Sequence, residues 1–533
     1  MFSPILLRTS AVAMTALWLG VVAPSAADTL RHTERPRVGL VLAGGGAKGG
    51  AHVGVLKVLE QYHIPIDCIA GTSMGALIGG GYASGIPAGE LEAFLTNVDW
   101  KRVVGRQGRR ELEPIEQKRA GVTYSNDLEF GITSQGITTP GGLINTSNVE
   151  DLLRSYVAAA RLETDFGKLP IPYRAVATDM VSGNPVILDR GDLATAMRAS
   201  MAIPGVFAPV IMGNEILSDG GLVRNIPIDV ARNLCADVVI VVNLVEPPAD
   251  PAKLRSATQL LSRTMDVMIA ANETLQLQTL RPGDTLIDVE MGTIGTADFE
   301  RIPETIPLGE SATRAMHANL ARYAVSEAEY LAWRKDVTES QQIQARLAAV
   351  RFEGLQRVNP DYLAQIDRIG ANGMIDNEVI SKQAQRMSAL QDFDSVGYRL
   401  DGDRQSATLT WLPQEKNWGP DYLKLDLGVY ASEGGDLRFT LYGRHVRTWM
   451  NPLGAEWRNE LQVGGETLLA TSLFQPLNAA HSFFVEPQVK FSRSIEDVFH
   501  ENERVARYEF TDAAGLLDFG VNIGNYEIGR AHV

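Results

Sequence analysis

The chain has 533 residues, an apolar fraction of 45%, a formal net charge of −15 and two cysteines. That length admits several domains at roughly one per ~150 residues, and the ordinary composition excludes a chain that is mostly disordered. The acidic balance excludes a protein that grips nucleic acid through basic surface, so no nucleic-acid partner is expected.

Met1 to Ala27 reads as a secretory signal. Arg8 gives the positive start, Ala11 to Ala23 the apolar centre, and Ser25-Ala26-Ala27 a small-residue cleavage site before Asp28. The mature chain is therefore expected to be exported. No other run approaches the ~18 apolar residues of a spanning helix, since Val238 to Val242 has only the length of a buried strand. Cys68 and Cys235 each sit in an apolar, strand-like segment. Export permits a disulfide, but nothing in the sequence brings the pair within bridging distance, so two buried thiols are expected. There is no C-x-x-C and no histidine–carboxylate cluster at ligand spacing, and neither a metal nor another cofactor is expected.

Arg37 to Ala43 is a buried strand that leads into Gly44-Gly45-Gly46-Ala47-Lys48-Gly49-Gly50 and then a helix with Val55, Leu56 and Leu59 inward. Strand, glycine loop and helix aim backbone N–H groups at a negative oxygen, as a phosphate cradle or an oxyanion hole does. Gly44, Gly46 and Gly49 fit the dinucleotide spacing, with Asp67 about twenty residues on. The next element favours the other reading. The run Ile64 to Ala70 ends in Gly71-Thr72-Ser73-Met74-Gly75 and continues as the small-residue helix Ala76 to Ala83. This is a nucleophile elbow, in which Gly71 and Gly75 let the chain turn sharply and leave the Ser73 hydroxyl exposed over a helix N-terminus. Two glycine turns on neighbouring parallel strands open onto one crevice. An oxyanion hole facing a serine accounts for both.

Lys101 to Arg119 is the one basic-rich stretch, read as a solvated face or an attraction for anionic headgroups. Gly131 to Gly142, rich in threonine and glycine, is expected to form a cap or lip over the site. Val149 to Ala160 reads as a helix, Pro172 to Asp179 as a strand turning at Ser182-Gly183-Asn184 into Pro185 to Leu188, and Leu193 to Ser200 as a helix leading into Met201 to Pro209. Ile216-Leu217-Ser218-Asp219-Gly220-Gly221 is a strand end carrying an acid before two glycines. Asp237 to Leu244 and Thr285 to Glu290 are further strands, and Leu308 to Arg334 reads as one long helical stretch.

Taken in order, Gly44 to Gly49, Gly71 to Gly75, Ala199-Ser200 to Pro209 and Asp219-Gly220-Gly221 resemble the bacterial patatin-like phospholipases over roughly Arg37 to Lys335. The resemblance implies a serine–aspartate dyad. Ser73 would be the nucleophile, Asp219 its base, and the backbone of Gly44, Gly45, Gly46, Lys48 and Gly49 the oxyanion hole. That family often has arginine where this chain has Lys48. Serine is a weak nucleophile until a base takes its proton, and a carboxylate serves best when partial burial raises its pKa. The rival is a Ser-His-Asp triad drawing on one of eight histidines. His52 and His63 lie nearest in sequence, and neither follows the acid as the α/β-hydrolase order requires.

From about Ala349 the pattern changes. A strand at Val350 to Leu355, helices at Pro360 to Ile369 and Glu378 to Leu390, and a hairpin of Val396 to Leu400 with Ala407 to Leu412 resemble a single polypeptide-transport-associated (POTRA) module over residues 349–413. After Trp418, alternation is plain: Leu423, Leu425, Leu427 and Val429 interleave with Lys424, Asp426 and Gly428, and Leu437, Phe439, Leu441 and Phe483, Val485, Val489, Phe491 repeat it. A half-buried soluble sheet alternates in the same way. In this context the segment 417–526 resembles the outer-membrane barrel of the bacterial surface-antigen family. About six strands are expected from Tyr422 to Ile523, fewer than the ~8 of a closed barrel, and Glu527 to Val533 resembles a translated sequencing adapter, so the natural chain is expected to continue.

The expected fold is a patatin-like three-layer α/β hydrolase (residues 28–335) with helices on both sheet faces, then a small α+β module and part of an antiparallel transmembrane barrel. The expected function is cleavage of phospholipid or other lipid carboxylic esters, with the barrel tethering or exporting the hydrolase at a bacterial outer membrane. The hydrolase would be periplasmic, surface-exposed or released. The alternative is a transport or assembly protein with an inactive hydrolase passenger.

Overall fold

The computed structural model describes residues 35–103, 129–134, 136–142, 146–157, 163–249, 251–339, 344–403, 405–431, 437–464, 466–500, 503–523 and 526–532. The expected leader and most of the basic-rich stretch from Lys101 to Arg119 lie outside them.

In chain order the strands are β1 (Val38–Leu42), β2 (Cys68–Thr72), β3 (Glu129–Thr133), β4 (Gly136–Thr138), β5 (Tyr173–Asp179), β6 (Pro185–Leu188), β7 (Val210–Met212), β8 (Glu215–Asp219), β9 (Val238–Val245) and β10 (Thr285–Glu290). After these come β11 (Ala345–Phe352), β12 (Met374–Ile375), β13 (Phe393–Asp403) and β14 (Ser406–Glu415). The last group is β15 (Asp421–Ala431), β16 (Leu437–Arg447), β17 (Glu456–Gly464), β18 (Glu466–Pro476), β19 (Phe483–His500), β20 (Glu503–Ile523) and β21 (Tyr526–His532).

The first sheet runs β10-β9-β1-β2-β5-β8-β7, with β6 beside β5. From β10 to β5 the pairing is parallel, while β8 runs antiparallel to β5 with Asp219 opposite Ala177. Its strands are near-continuous aliphatic runs because both faces are covered. Leu40, Ile69 and Ile240 point into one core, with residues of the helices Ala51–Gln61, Met74–Ala83 and Ile302–Ala315. Val41, Ala70 and Val239 point into the other, under the helix Ile228–Leu234. The period-two switch of strand side chains thus builds three layers.

Several expectations are corrected. Cys68 and Cys235 form a disulfide across 167 residues, with their Cα atoms 6.1 Å apart. The helix Ile228–Leu234 packs against both β1 and β2 and delivers Cys235 to the start of β2. The expected single helix from Leu308 to Arg334 is broken. Ala324 is extended and the Val325 N–H donates to His63 O at 3.0 Å, separating Ile302–Ala315 and two short turns from the helix Glu327–Glu339. A 21-residue helix, Ala257–Leu277, was not foreseen, although the capping box of Ser256 and Gln259 announces its start.

Gly131 to Thr138 is also a hairpin rather than a lip, while Gly142 bridges Gly205 in the stretch Ala199 to Pro209. β3 and β4 form a hairpin, and β3 pairs with β15, so this excursion of the first domain joins the C-terminal sheet. Glu129 fixes the junction: its carboxylate accepts from Lys416 Nζ at 2.8 Å, Gln391 Nε2 at 2.9 Å and Trp418 Nε1 at 3.3 Å.

Residues 345–415 form a four-stranded sheet, β12-β11-β14-β13, with the helices Pro360–Ile366 and Asn377–Ser388. Leu347, Leu363, Ile380, Met387, Leu409 and Trp411 make their own core. Buried charges tie this unit to the first domain. Arg154 pairs with Asp192 at 2.8 Å and donates to Val396 O, and Arg198 lies 3.5 Å from Glu150 and 3.8 Å from Asp394.

The third sheet is antiparallel and runs β21-β20-β19-β18-β17-β16-β15-β3-β4. Six strands fall between Asp421 and Ile523, while β3, β4 and β21 extend the sheet to nine. Along β15 and β16, Leu427, Val429 and Phe439 are exposed while Asp426 and Thr440 are buried.

Candidate active site

β1 and β2 are neighbours, with Leu42 opposite Gly71, so the glycine loop after one strand faces the elbow after the other. The closeness demands glycine at Gly75: a Cβ there would sit 2.3 Å from Leu42 O. Gly46 has φ +55°, and a Cβ on it would meet Thr296 O at 2.3 Å. A side chain at Gly75 would push the elbow away from the end of β1, and one at Gly46 would drive the glycine loop off Thr296.

Ser73 takes φ 53° and ψ −123°, a conformation that L-residues avoid and that nucleophile elbows impose. Its Oγ donates to Asp219 Oδ2 at 2.7 Å, and both residues are buried. Asp219 ends β8. Its other oxygen accepts the Gly221 N–H at 2.7 Å, and Thr178 Oγ1 donates to its carbonyl at 2.8 Å. Burial pushes the Asp219 carboxyl up to about 6, against the opposing pull of hydrogen bonds from Ser73 and Gly221. A carboxylate held in this way is a base near neutral pH with a hydroxyl proton in reach.

The glycine loop is a short 3₁₀ turn, Gly46–Gly50, running into the helix Ala51–Gln61. Several of its amides are already taken. Gly44 N–H donates to Asn225 O at 3.3 Å, Ala47 N–H to Thr296 O at 2.9 Å and Lys48 N–H to Gly45 O at 3.2 Å. Among the described bonds, Gly45 and Gly46 N–H have no acceptor. The Lys48 ammonium turns away from the loop backbone to the Glu246 carboxylate, and Thr296 Oγ1 donates to the same carboxylate at 3.4 Å.

The histidines named in the sequence lie elsewhere in the packing. His52 is fully buried and its Nε2 meets Ala43 O at 2.8 Å. Burial lowers its pKa to about 4, so it stays neutral. His63 stacks on Tyr330.

Asn225 was missed. Its side chain donates to Gly44 O at 3.3 Å and to Glu273 Oε1 at 2.5 Å, while its backbone N–H donates to Asn272 Oδ1 at 2.8 Å. It thus links the glycine loop to the unforeseen helix Ala257–Leu277. An asparagine four positions beyond Gly221 was the available signal; its partners, 47 and 48 residues further on, were not.

A parallel sheet carrying a carboxylate-bonded serine on one strand turn and a glycine loop on the next defines a hydrolytic α/β class. Residues 40–232 match the family model described as patatin-like phospholipase, and this part of the chain is a patatin-like phospholipase domain. The chain is 36% identical over 229 residues to the uncharacterized NTE family protein Rv1063c of Mycobacterium tuberculosis, covering 43% of this chain and 54% of that one. It is 30% identical over 209 residues to mouse patatin-like phospholipase domain-containing protein 6, covering 39% of this chain and 13% of the other. It is also similar to the crystal structure of VipD from Legionella pneumophila, with TM-score 0.33 and 15% identity over 57% of this chain and 74% of that one. The chain spans about half the length of the first curated relatives it matches.

Proposed function

We propose that the protein is an exported serine lipid acyl hydrolase of phospholipase A type, working through a Ser73–Asp219 dyad. The observation that carries this reading is the 2.7 Å bond from Ser73 Oγ to a buried carboxylate. Ser73 Oγ attacks the ester carbonyl carbon as Asp219 takes its proton. The negative oxygen of the tetrahedral intermediate faces the Gly45 and Gly46 amides, and loss of one such donor costs about 10²–10³ in rate. Collapse breaks the bond to the leaving alcohol, which receives the proton from Asp219. Asp219 then takes a proton from water, the hydroxide attacks the acyl-serine, and the fatty acid departs as Ser73 regains its proton.

The third sheet is the reason for adding an outer-membrane barrel of the surface-antigen type, with residues 349–413 as its POTRA-like module. Exposed apolar side chains alternating with buried polar ones invert the pattern of a soluble sheet and match strands that face lipid. Among the described residues no helix is long and apolar enough to cross a membrane. The Cys68–Cys235 disulfide fits an oxidising compartment outside the cytoplasm.

The test is fatty-acid release from phosphatidylcholine vesicles by the full chain in detergent, beside Ser73→Ala. Release by the parent and none by the variant supports the reading. A folded parent that releases nothing favours the transport protein with an inactive passenger.

A further inference from the structure

The stretch from Ala199 to Pro209 resembles a family motif, yet the reaction above gives it no task. Its first residues close the helix Leu193–Ser200 and bond the backbone of both Ser73 and Asp219. Ser200 is fully buried. Its hydroxyl donates to Val176 O on β5 at 2.6 Å, and the Ser73 N–H donates to the same hydroxyl oxygen at 2.9 Å. The single hydroxyl proton is committed to Val176, so a lone pair faces the nucleophile's amide. The same turn holds the acid. Ala202 O accepts the Asp219 N–H at 2.9 Å and the Ser218 hydroxyl, and Ser200 O accepts the Gly220 N–H at 3.4 Å.

We propose that Ser200 is a positioning residue for the Ser73–Asp219 reaction: its hydroxyl holds the nucleophile's backbone in the elbow conformation while its turn pins the strand end carrying Asp219. Ser73 sits at a φ that it would leave if its N–H found a better partner elsewhere. A small rotation there carries Oγ away from Asp219, and misplacing a reacting group by about 1 Å costs on the order of 10²-fold. A second consequence follows. With the Ser73 N–H bound to Ser200, that amide is withdrawn from the oxyanion hole.

This inference rests on the dyad reading, and its test separates the two. Ser200→Ala, Ser200→Cys and Ser200→Thr are made in the full chain, with Ser84→Ala as control. Ser84 is equally buried, and its hydroxyl bonds only Gly80 O within its own helix region. Hydrolysis of a soluble p-nitrophenyl ester is followed across pH, with Tm recorded for each variant. Ser200→Ala is expected to lose roughly 10–100-fold in kcat with KM within about twofold of the parent. Its acid limb should move to higher pH, because a displaced Ser73 no longer lowers the pKa of Asp219. Ser200→Thr, which keeps the hydroxyl, restores most of the rate. Ser200→Cys keeps the volume with a poor acceptor, so it reports the bond even if Ser200→Ala fails to fold, and it should fall between the two. Ser84→Ala keeps the parent's kcat whatever its Tm. A Ser200→Ala or Ser200→Cys enzyme with parental kcat and acid limb overturns the proposal, as does a loss that Ser84→Ala reproduces at matched Tm. A folded parent with no turnover overturns the dyad reading, and this inference with it.

Discussion

In the parallel sheet, β1 and β9 bury Leu40, Val41, Val239 and Ile240 completely, and the proposed dyad, Ser73 and Asp219, lies at strand ends. In the nine-stranded sheet, Leu427, Val429 and Phe439 face outward, while Arg458, Ser472 and Glu486 are buried and bonded to one another at 3.3 and 2.8 Å. Both are built from aliphatic strands, so aliphatic content does not distinguish them. The difference lies in which side of the alternation is hidden: helices cover both faces of the first sheet, and the apolar face of the second is exposed. A buried carboxylate is also held differently in the two. Glu486 is held by a cation and a hydroxyl, while Asp219 has only a hydroxyl and one amide to offset its burial, which keeps it basic enough to take a proton.

Four experiments sharpen or break this contrast. The largest effect is expected at the parallel sheet's edge, where Ser73→Ala should cost on the order of 10⁴-fold or more in kcat with Tm little changed. Next, breaking the Cys68–Cys235 bridge by Cys68→Ala with Cys235→Ala should destabilise the first domain by about 2–5 kcal/mol, read as earlier urea unfolding of that domain's signal. Third, Leu427→Arg places a charge on the outward face of β15 and should cost about 2–4 kcal/mol of barrel stability if that face meets the lipid midplane. The readout is folding into detergent or lipid, and unchanged folding would mean that water faces this surface. The smallest effect is in pH. If Asp219 is the base, as proposed, its pKa raised to about 6 means that kcat/KM should rise through pH about 6 as the carboxyl ionises and level off above it. The stability contribution has the opposite sign. A carboxyl that is harder to ionise when folded makes the native state relatively less stable as pH rises from 3.8 through about 6.

The site was more legible than the fold around it. Gly71 to Gly75, Gly44 to Gly49 and Asp219-Gly220-Gly221 are local patterns whose chemistry depends on neighbours one or two residues away. What eluded the sequence depends on distant partners. The disulfide joins residues 167 apart, and Glu129 meets Lys416 287 positions later, with no local sign in either segment. The helix Ala257–Leu277 escaped for a different reason. Leu260, Leu261, Val267, Met268 and Leu275 lie on its exposed side, while Asn272, Glu273 and Gln276 face the protein, so a search for an inward apolar stripe passes over it. Ser200 stood in a recognised motif, but its partners Ser73 and Val176 emerge only when β2 and β5 lie side by side.

The most direct test of the account is covalent. The full chain is treated with a fluorophosphonate and the adduct mapped by peptide mass spectrometry, in the parent and in Asp219→Asn. The account predicts one adduct, on Ser73, and a labelling rate in Asp219→Asn slower by on the order of 10³-fold or more, since the amide cannot take the hydroxyl proton. An adduct on another residue, or an Asp219→Asn protein labelled at the parent's rate, would contradict it.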